Sequence, residues 1–198
     1  MPITADQVKQ LREMTGAGMM ECKKALADTG GDLDKAVDAL RKSGAAKAEK
    51  RAGRTAQEGR VDSYIHPGNR VGVLIEVNCE TDFVARTDEF GELVRNVAMQ
   101  VAAAGAEFVR REDVPQDRVA REREILAAQV QGQGKPPQIV EKIITGKLDK
   151  FFAEVCLLEQ PYIRDDKRTV ADIVKDAAAK TGENIVVRRF ARFRLGQD

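Results

Sequence analysis

Cys79, Glu80 and His66 are the residues in this chain whose types could together support covalent chemistry. A thiol nucleophile needs a base to take its proton and a group to orient that base. Here Cys79 stands beside Glu80 and Asp82, and neighbouring negative charge raises a thiol's pKa instead of lowering it. His66, the one histidine, precedes Pro67-Gly68-Asn69, where a turn or surface role accounts for it. Phosphate-cradling GxxxxGK[ST] and metal-binding HExxH patterns are absent, and no GxGxxG follows a strand. The sequence VGVLIEVNCETDFVAR (71–86) therefore reads as a binding corner. Val71, Val73, Ile75 and Val77 alternate as one buried face of a strand. The strand then runs into Asp82 beside Phe83, and an Asp that prefers water or a cation makes the pair project together as a wedge.

The elements that must hold this corner follow from pattern. Thr4 and Gln7 have capping-box spacing, with Ile3 and Val8 placed as a hydrophobic staple. A first helix is expected from about Ala5 to Met14, and Thr15-Gly16-Ala17-Gly18 breaks it. A second helix carries Met19, Cys22, Ala25 and Leu26 and stops at Thr29-Gly30-Gly31. Asp32 caps a third, with Leu33, Ala36, Val37 and Leu40 on one face, ending at Ser43-Gly44. Met19 and Met20 are separated by about 100° of helix. Either one of them faces outward, as suits a surface that moulds to a partner, or both fill gaps in a small core.

Residues 45–60, AAKAEKRAGRTAQEGR, have helical propensity but little to bury, and read as a tether that is in part helical. Val61–His66 and Arg70–Asn78 around Pro67-Gly68-Asn69 predict a hairpin, and Asn184–Leu195 a third strand. On that strand Ile185, Val187, Ala191 and Phe193 are expected on one face, with Arg188, Arg192 and Arg194 solvated on the other. Thr87 should cap a strong helix ending at Ala104-Gly105. Further helices are expected over 114–130, from Pro136-Pro137 through Lys147–Leu158, and over Thr169–Lys180, with a Gly- and Gln-rich turn at 131–135. The class is α+β with a three-stranded antiparallel sheet, whose open edges and faces make self-association reasonable.

Composition narrows the function. The 33 Lys and Arg nearly cancel 32 Asp and Glu, which argues against a dedicated nucleic-acid binder. No apolar run approaches a membrane span, and the amino terminus lacks a signal or transit pattern. Three widely spaced cysteines read as reduced thiols, not a disulfide scaffold or a zinc site. The expectation is a cytoplasmic, cofactor-free, metal-free protein that is no enzyme.

Five ordered segments carry a resemblance: LREMTGAGMMECKKAL at Leu11–Leu26, GGDLDKAVDALRKSG at Gly30–Gly44 and RVGVLIEVNCETDFVAR at Arg70–Arg86. GKLDKFFAEVCLLEQPYIRDD at Gly146–Asp166 and GENIVVRRFARFRLG at Gly182–Gly196 complete the set. Over essentially its whole length the chain resembles translation elongation factor Ts, in its short form with one copy of the core. The resemblance implies a ubiquitin-associated-like three-helix domain over 1–44, a linker over 45–60 and an α+β core over 61–198 that pairs with a second copy. It implies guanine-nucleotide exchange on elongation factor Tu, GDP-bound and nucleotide-free, without nucleic acid or membrane as direct partners. Thr81, Asp82, Phe83 and Val84 match the family's motif that intrudes near the partner's magnesium site. Arg12, Met19 and Met20 match the surface that meets the partner's nucleotide-binding domain. A peptide-binding adaptor with a ubiquitin-associated-like head, or a cysteine hydrolase using Cys79, would leave the five ordered segments unexplained.

Overall fold

The computed structural model describes residues 3–130 and 136–197, without the side chains of residues 45 and 47–49. The expected turn at 131–135 lies outside the described residues. The first three helices form as the caps dictate. Helix α1 (Ala5–Thr15) opens on the Thr4–Gln7 capping box and closes at Gly16 in the left-handed region. Helix α2 (Met19–Asp28) stops at Thr29, and Asp32 accepts the Lys35 amide at 3.0 Å to start α3 (Leu33–Arg51). Val8, Leu11, Cys22, Ala25, Leu26 and Ala36 make their common core, with Ile3 packed against it as the staple spacing predicts.

Helix α3 does not end at Ser43-Gly44. It continues to Arg51 through an Ala- and Lys-rich stretch of high helical propensity. Gly44 is a contact, not a stop: a Cβ there would come 3.1 Å from the Cβ of Ala179. Farther along, Arg51 donates to the Ala178 carbonyl. The tether expected from residue 45 is therefore helix to Arg51 and strand from Glu58.

Strands β1 (Glu58–Ile65) and β2 (Val71–Cys79) form the predicted hairpin, with the His66 amide donating to the Val71 carbonyl at 2.9 Å. Gly59 allows their close approach, since a Cβ there would lie 2.1 Å from the Val77 carbonyl oxygen. Strand β5 (Val186–Arg194) lies on the other side of β2, giving the order β1-β2-β5. Its end pairs with the start of β2, through Leu195 N–H to the Arg70 carbonyl at 2.9 Å, so this sheet is antiparallel. Val73, Ile75 and Val77 are buried as expected, while Leu74 is half exposed.

The expected facing of β5 needs correction. Val187 is buried, but beyond Arg189 the inward parity changes: Phe190 and Arg192 are half-buried, and Ala191 and Phe193 are exposed. Two consecutive exposed arginines, Arg188 and Arg189, mark the change, and Arg192 turns inward to donate to the Ala102 carbonyl at 3.4 Å.

A four-residue helix α4 (Asp82–Ala85) follows β2, and α5 (Asp88–Ala104) begins where Thr87 accepts the Phe90 amide. Helices α6 (Gln116–Val130) and α7 (Pro137–Val155) pack as a pair around Leu126, Ile144 and Leu148. Strands β3 (Pro161–Tyr162) and β4 (Asp165–Thr169) form an antiparallel ribbon, which the sequence pattern did not predict, before α8 (Val170–Thr181). Fully buried Gln100 holds the ribbon, donating to the Gln160 side chain and Pro161 carbonyl at 3.1 Å and accepting the Ile163 amide at 2.9 Å. Contacts group the chain into two units. One holds residues 1–60, 77–93 and 172–186, and the other 61–76, 94–171 and 187–198.

Candidate functional site

The corner after β2 is held by three residues distant from it in sequence, Glu183, Asn184 and Arg60. At its amino end the Glu183 carboxylate accepts the Glu80 amide at 3.0 Å, the Thr81 amide at 3.1 Å and the Thr81 hydroxyl at 2.6 Å. Glu80 returns the favour in mirror fashion, accepting the Asn184 amide at 2.6 Å. Buried Asn184 then donates its side-chain amide to the Arg54 carbonyl at 2.8 Å. Thr81 also caps α4, its hydroxyl oxygen accepting the Val84 amide. At the carboxyl end the Arg60 guanidinium donates to the Ala85 carbonyl and, at 3.3 Å, to that of Thr87. Gly91 leaves the room this requires, because a Cβ there would sit 2.5 Å from Arg60 Nη1.

On this frame Val84 and Ala85 turn inward, while Phe83 is 78% exposed. An aromatic ring this open gains nothing from the chain's own core. Exposed Asp82 pairs with exposed Arg86 at 2.8 Å across one helical turn, a contact of small stabilising value in water. Of the four motif residues, Phe83 and Asp82 face outward, Thr81 is the cap, and Val84 anchors the turn.

Cys79 is fully buried and its thiol donates to the Thr81 carbonyl at 3.1 Å. Burial, and then the negative charge of Glu183, push its pKa up. That suppresses the thiolate a nucleophile requires. His66 lies in the hairpin turn with Nδ1 3.1 Å from the Tyr64 hydroxyl. Among the described residues no three His, Cys, Asp or Glu gather as metal ligands, and no helix is long and apolar enough to cross a membrane.

The α1–α2 junction offers a second candidate surface. Arg12 is exposed, and Met19 and Met20 are 61% and 75% exposed. Both methionines, not one, are free of the small core. Met14 is also exposed. Its spacing three residues after Leu11 disguises it as a core position.

The family model described as Elongation factor TS matches residues 34–197. The chain belongs to the elongation factor Ts family. It is 60% identical over 195 residues to elongation factor Ts of Moorella thermoacetica, covering 98% of this chain and 96% of that one. The counterpart from Carboxydothermus hydrogenoformans is 58% identical over 195 residues, covering 98% and 90%. That from Anaeromyxobacter dehalogenans is 60% identical over the same length, covering 98% and 89%. Membership assigns the coarse role: nucleotide exchange on elongation factor Tu in translation. The family match begins within α3, whereas the relatives' alignments span 195 residues.

Sequence reasoning found the displayed residues and missed those that hold them. Glu183 acts on Thr81 across 102 positions and Arg60 on Ala85 across 25. No local spacing signals either pairing.

Proposed function

We propose that this protein accelerates GDP release from elongation factor Tu by inserting Phe83, with Asp82 beside it, near the partner's magnesium and phosphate site. GTP then enters the emptied site. The observation carrying this reading is a single aromatic, 78% exposed, on a turn braced at both ends. A ring so placed suits a pocket that opens in the exchange complex. Arg12, Met19 and Met20 supply a second contact, with flexible methionines moulding to the partner's nucleotide-binding domain. The three-helix head, ubiquitin-associated-like in this reading, carries that surface. Thr81 and Val84 serve the contact by fixing the turn.

No covalent step is needed. An exchange factor works by binding the nucleotide-free GTPase more tightly than the GDP-bound one, and linkage then makes factor and GDP weaken each other by one ratio. Each tenfold of weakening takes about 1.4 kcal/mol of differential binding. Burying Phe83 only in the exchange complex supplies roughly 1.5–3 kcal/mol, or about ten- to a hundredfold. Asp82 meets the partner already paired with Arg86, so it disturbs magnesium indirectly, through the elements that hold the ion or its waters. This work belongs to the cytoplasm, where translation supplies the partner.

Pairing through the sheet belongs to the same reading. Val61, Ile65, Leu74 and Phe193 are each at least half exposed, and strand alternation places them on one face. The 2.7 Å Arg189–Glu76 ion pair lies on that face too. A second copy covering this face would provide the other half of the exchange unit. The decisive experiment follows a fluorescent GDP leaving elongation factor Tu on addition of this protein. Release at the spontaneous rate, with the protein folded, would defeat the proposal.

A further inference from the structure

We propose that Glu183 and Arg60 are positioning residues for nucleotide exchange: they clamp the two ends of α4 and so fix the direction in which Phe83 is offered. The inference rests on the reading of Phe83 as the wedge. A helix of four residues cannot sustain itself, because nucleation fixes several residues for a single hydrogen bond. Its geometry must come from outside. Glu183 satisfies the amides of Glu80 and Thr81 and orients the Thr81 hydroxyl that caps Val84. Arg60 takes up the carbonyls of Ala85 and Thr87. The bonds made by Glu183 and Arg60 each involve a charged partner, which strengthens them relative to the neutral Thr81–Val84 cap they support. Neither side chain stands within the Asp82–Phe83 pair itself.

Why spend two charged side chains on one short turn? An exposed Phe on a loose loop must lose its freedom as it enters the pocket that opens while GDP leaves, which raises the cost of that step. Held in advance, it reaches the exchange geometry without that loss. The clamp therefore acts on the step where GDP leaves, while the methionine surface at the α1–α2 junction still governs encounter.

The test uses Glu183→Gln, which keeps the side chain's shape but replaces one accepting oxygen with a donor. Fluorescent-GDP release from elongation factor Tu is titrated with the variant, and amide hydrogen exchange is measured at Glu80 and Thr81. The expected result is a maximal release rate about tenfold lower, equivalent to 1.4 kcal/mol, with little change in the half-saturating concentration and faster amide exchange at both positions. Arg60→Lys should act in the same direction, and it carries the test should Glu183→Gln fail to fold. Adding Phe83→Ala to either clamp variant should slow release no further than Phe83→Ala alone, because the clamp works through that ring. An unchanged maximal rate in a folded clamp variant, alongside slow release by Phe83→Ala, would overturn the clamp and leave the wedge standing. Unchanged amide exchange in Glu183→Gln would likewise overturn it. Normal release by Phe83→Ala would instead remove the wedge on which the clamp depends.

Discussion

Phe83 and Phe193 are almost equally exposed, at 78% and 72%, yet their surroundings differ in kind. Phe83 stands alone on a polar corner beside the Asp82–Arg86 pair, with its backbone fixed by Glu183, Thr81 and Arg60. Phe193 lies on an open strand face with Val61, Ile65 and Leu74. An isolated, braced ring fits a pocket and gives direction. A broad apolar face fits another flat face and gives area. Exposure by itself does not distinguish these uses; the neighbours do.

The largest effect is expected at the sheet. Phe193→Asp removes an apolar contact from both copies of a pair and adds a charge, so association should weaken by about a thousandfold or more. On the proposed pairing, sedimentation should find the parent chain paired and the variant single at one concentration, and an unaltered molecular mass would deny the sheet its role. Phe83→Ala should slow catalysed GDP release about ten- to a hundredfold, leaving the mass and melting temperature of the free protein unchanged. If instead the melting temperature fell with Phe83→Ala, the ring would be part of the fold and the contrast with Phe193 would collapse.

Met20→Ala is expected to weaken partner binding about fivefold, roughly 1 kcal/mol, by calorimetry. Equal affinity would leave the corner as the whole contact. The smallest effect concerns thiols, which neither surface uses. Burial pushes Cys156 up from the ordinary 9.0 to about 11. Because the folded value is the higher one, the unfolded chain loses its proton first, and the stabilisation present below pH 9 fades as pH rises toward 11. Melting temperatures should decline across that window, less steeply in Cys156→Ala, while both chains drive GDP release equally at pH 8.

Much of the local architecture was legible because capping and burial are local signals. Thr4 with Gln7, Asp32 and Thr87 each begin a helix where their spacing places it. Phe83 was legible because an Asp beside an aromatic at a strand end is an awkward core element. Three features were not. Gly44 looks like a helix stop, but its missing side chain admits Ala179, a fact of packing between distant segments. The ribbon of β3 and β4 depends on Gln100, more than 60 positions away from Pro161 and Ile163. The facing of β5 changes beyond Arg189, so strict alternation placed Phe193 on the wrong side. Each error arises where a tertiary contact overrules a repeating pattern.

The run of α3 past Gly44 to Arg51, laid against α8 at Ala178 and Ala179, makes chain length a functional quantity. A string can be lengthened with little consequence. A continuous helix cannot: one residue inserted between Ser43 and Arg51 would turn everything before it by about 100° and advance it by about 1.5 Å. The head bearing Met19 and Met20 is thus indexed like a tooth on a key, and a single extra notch would miscut it.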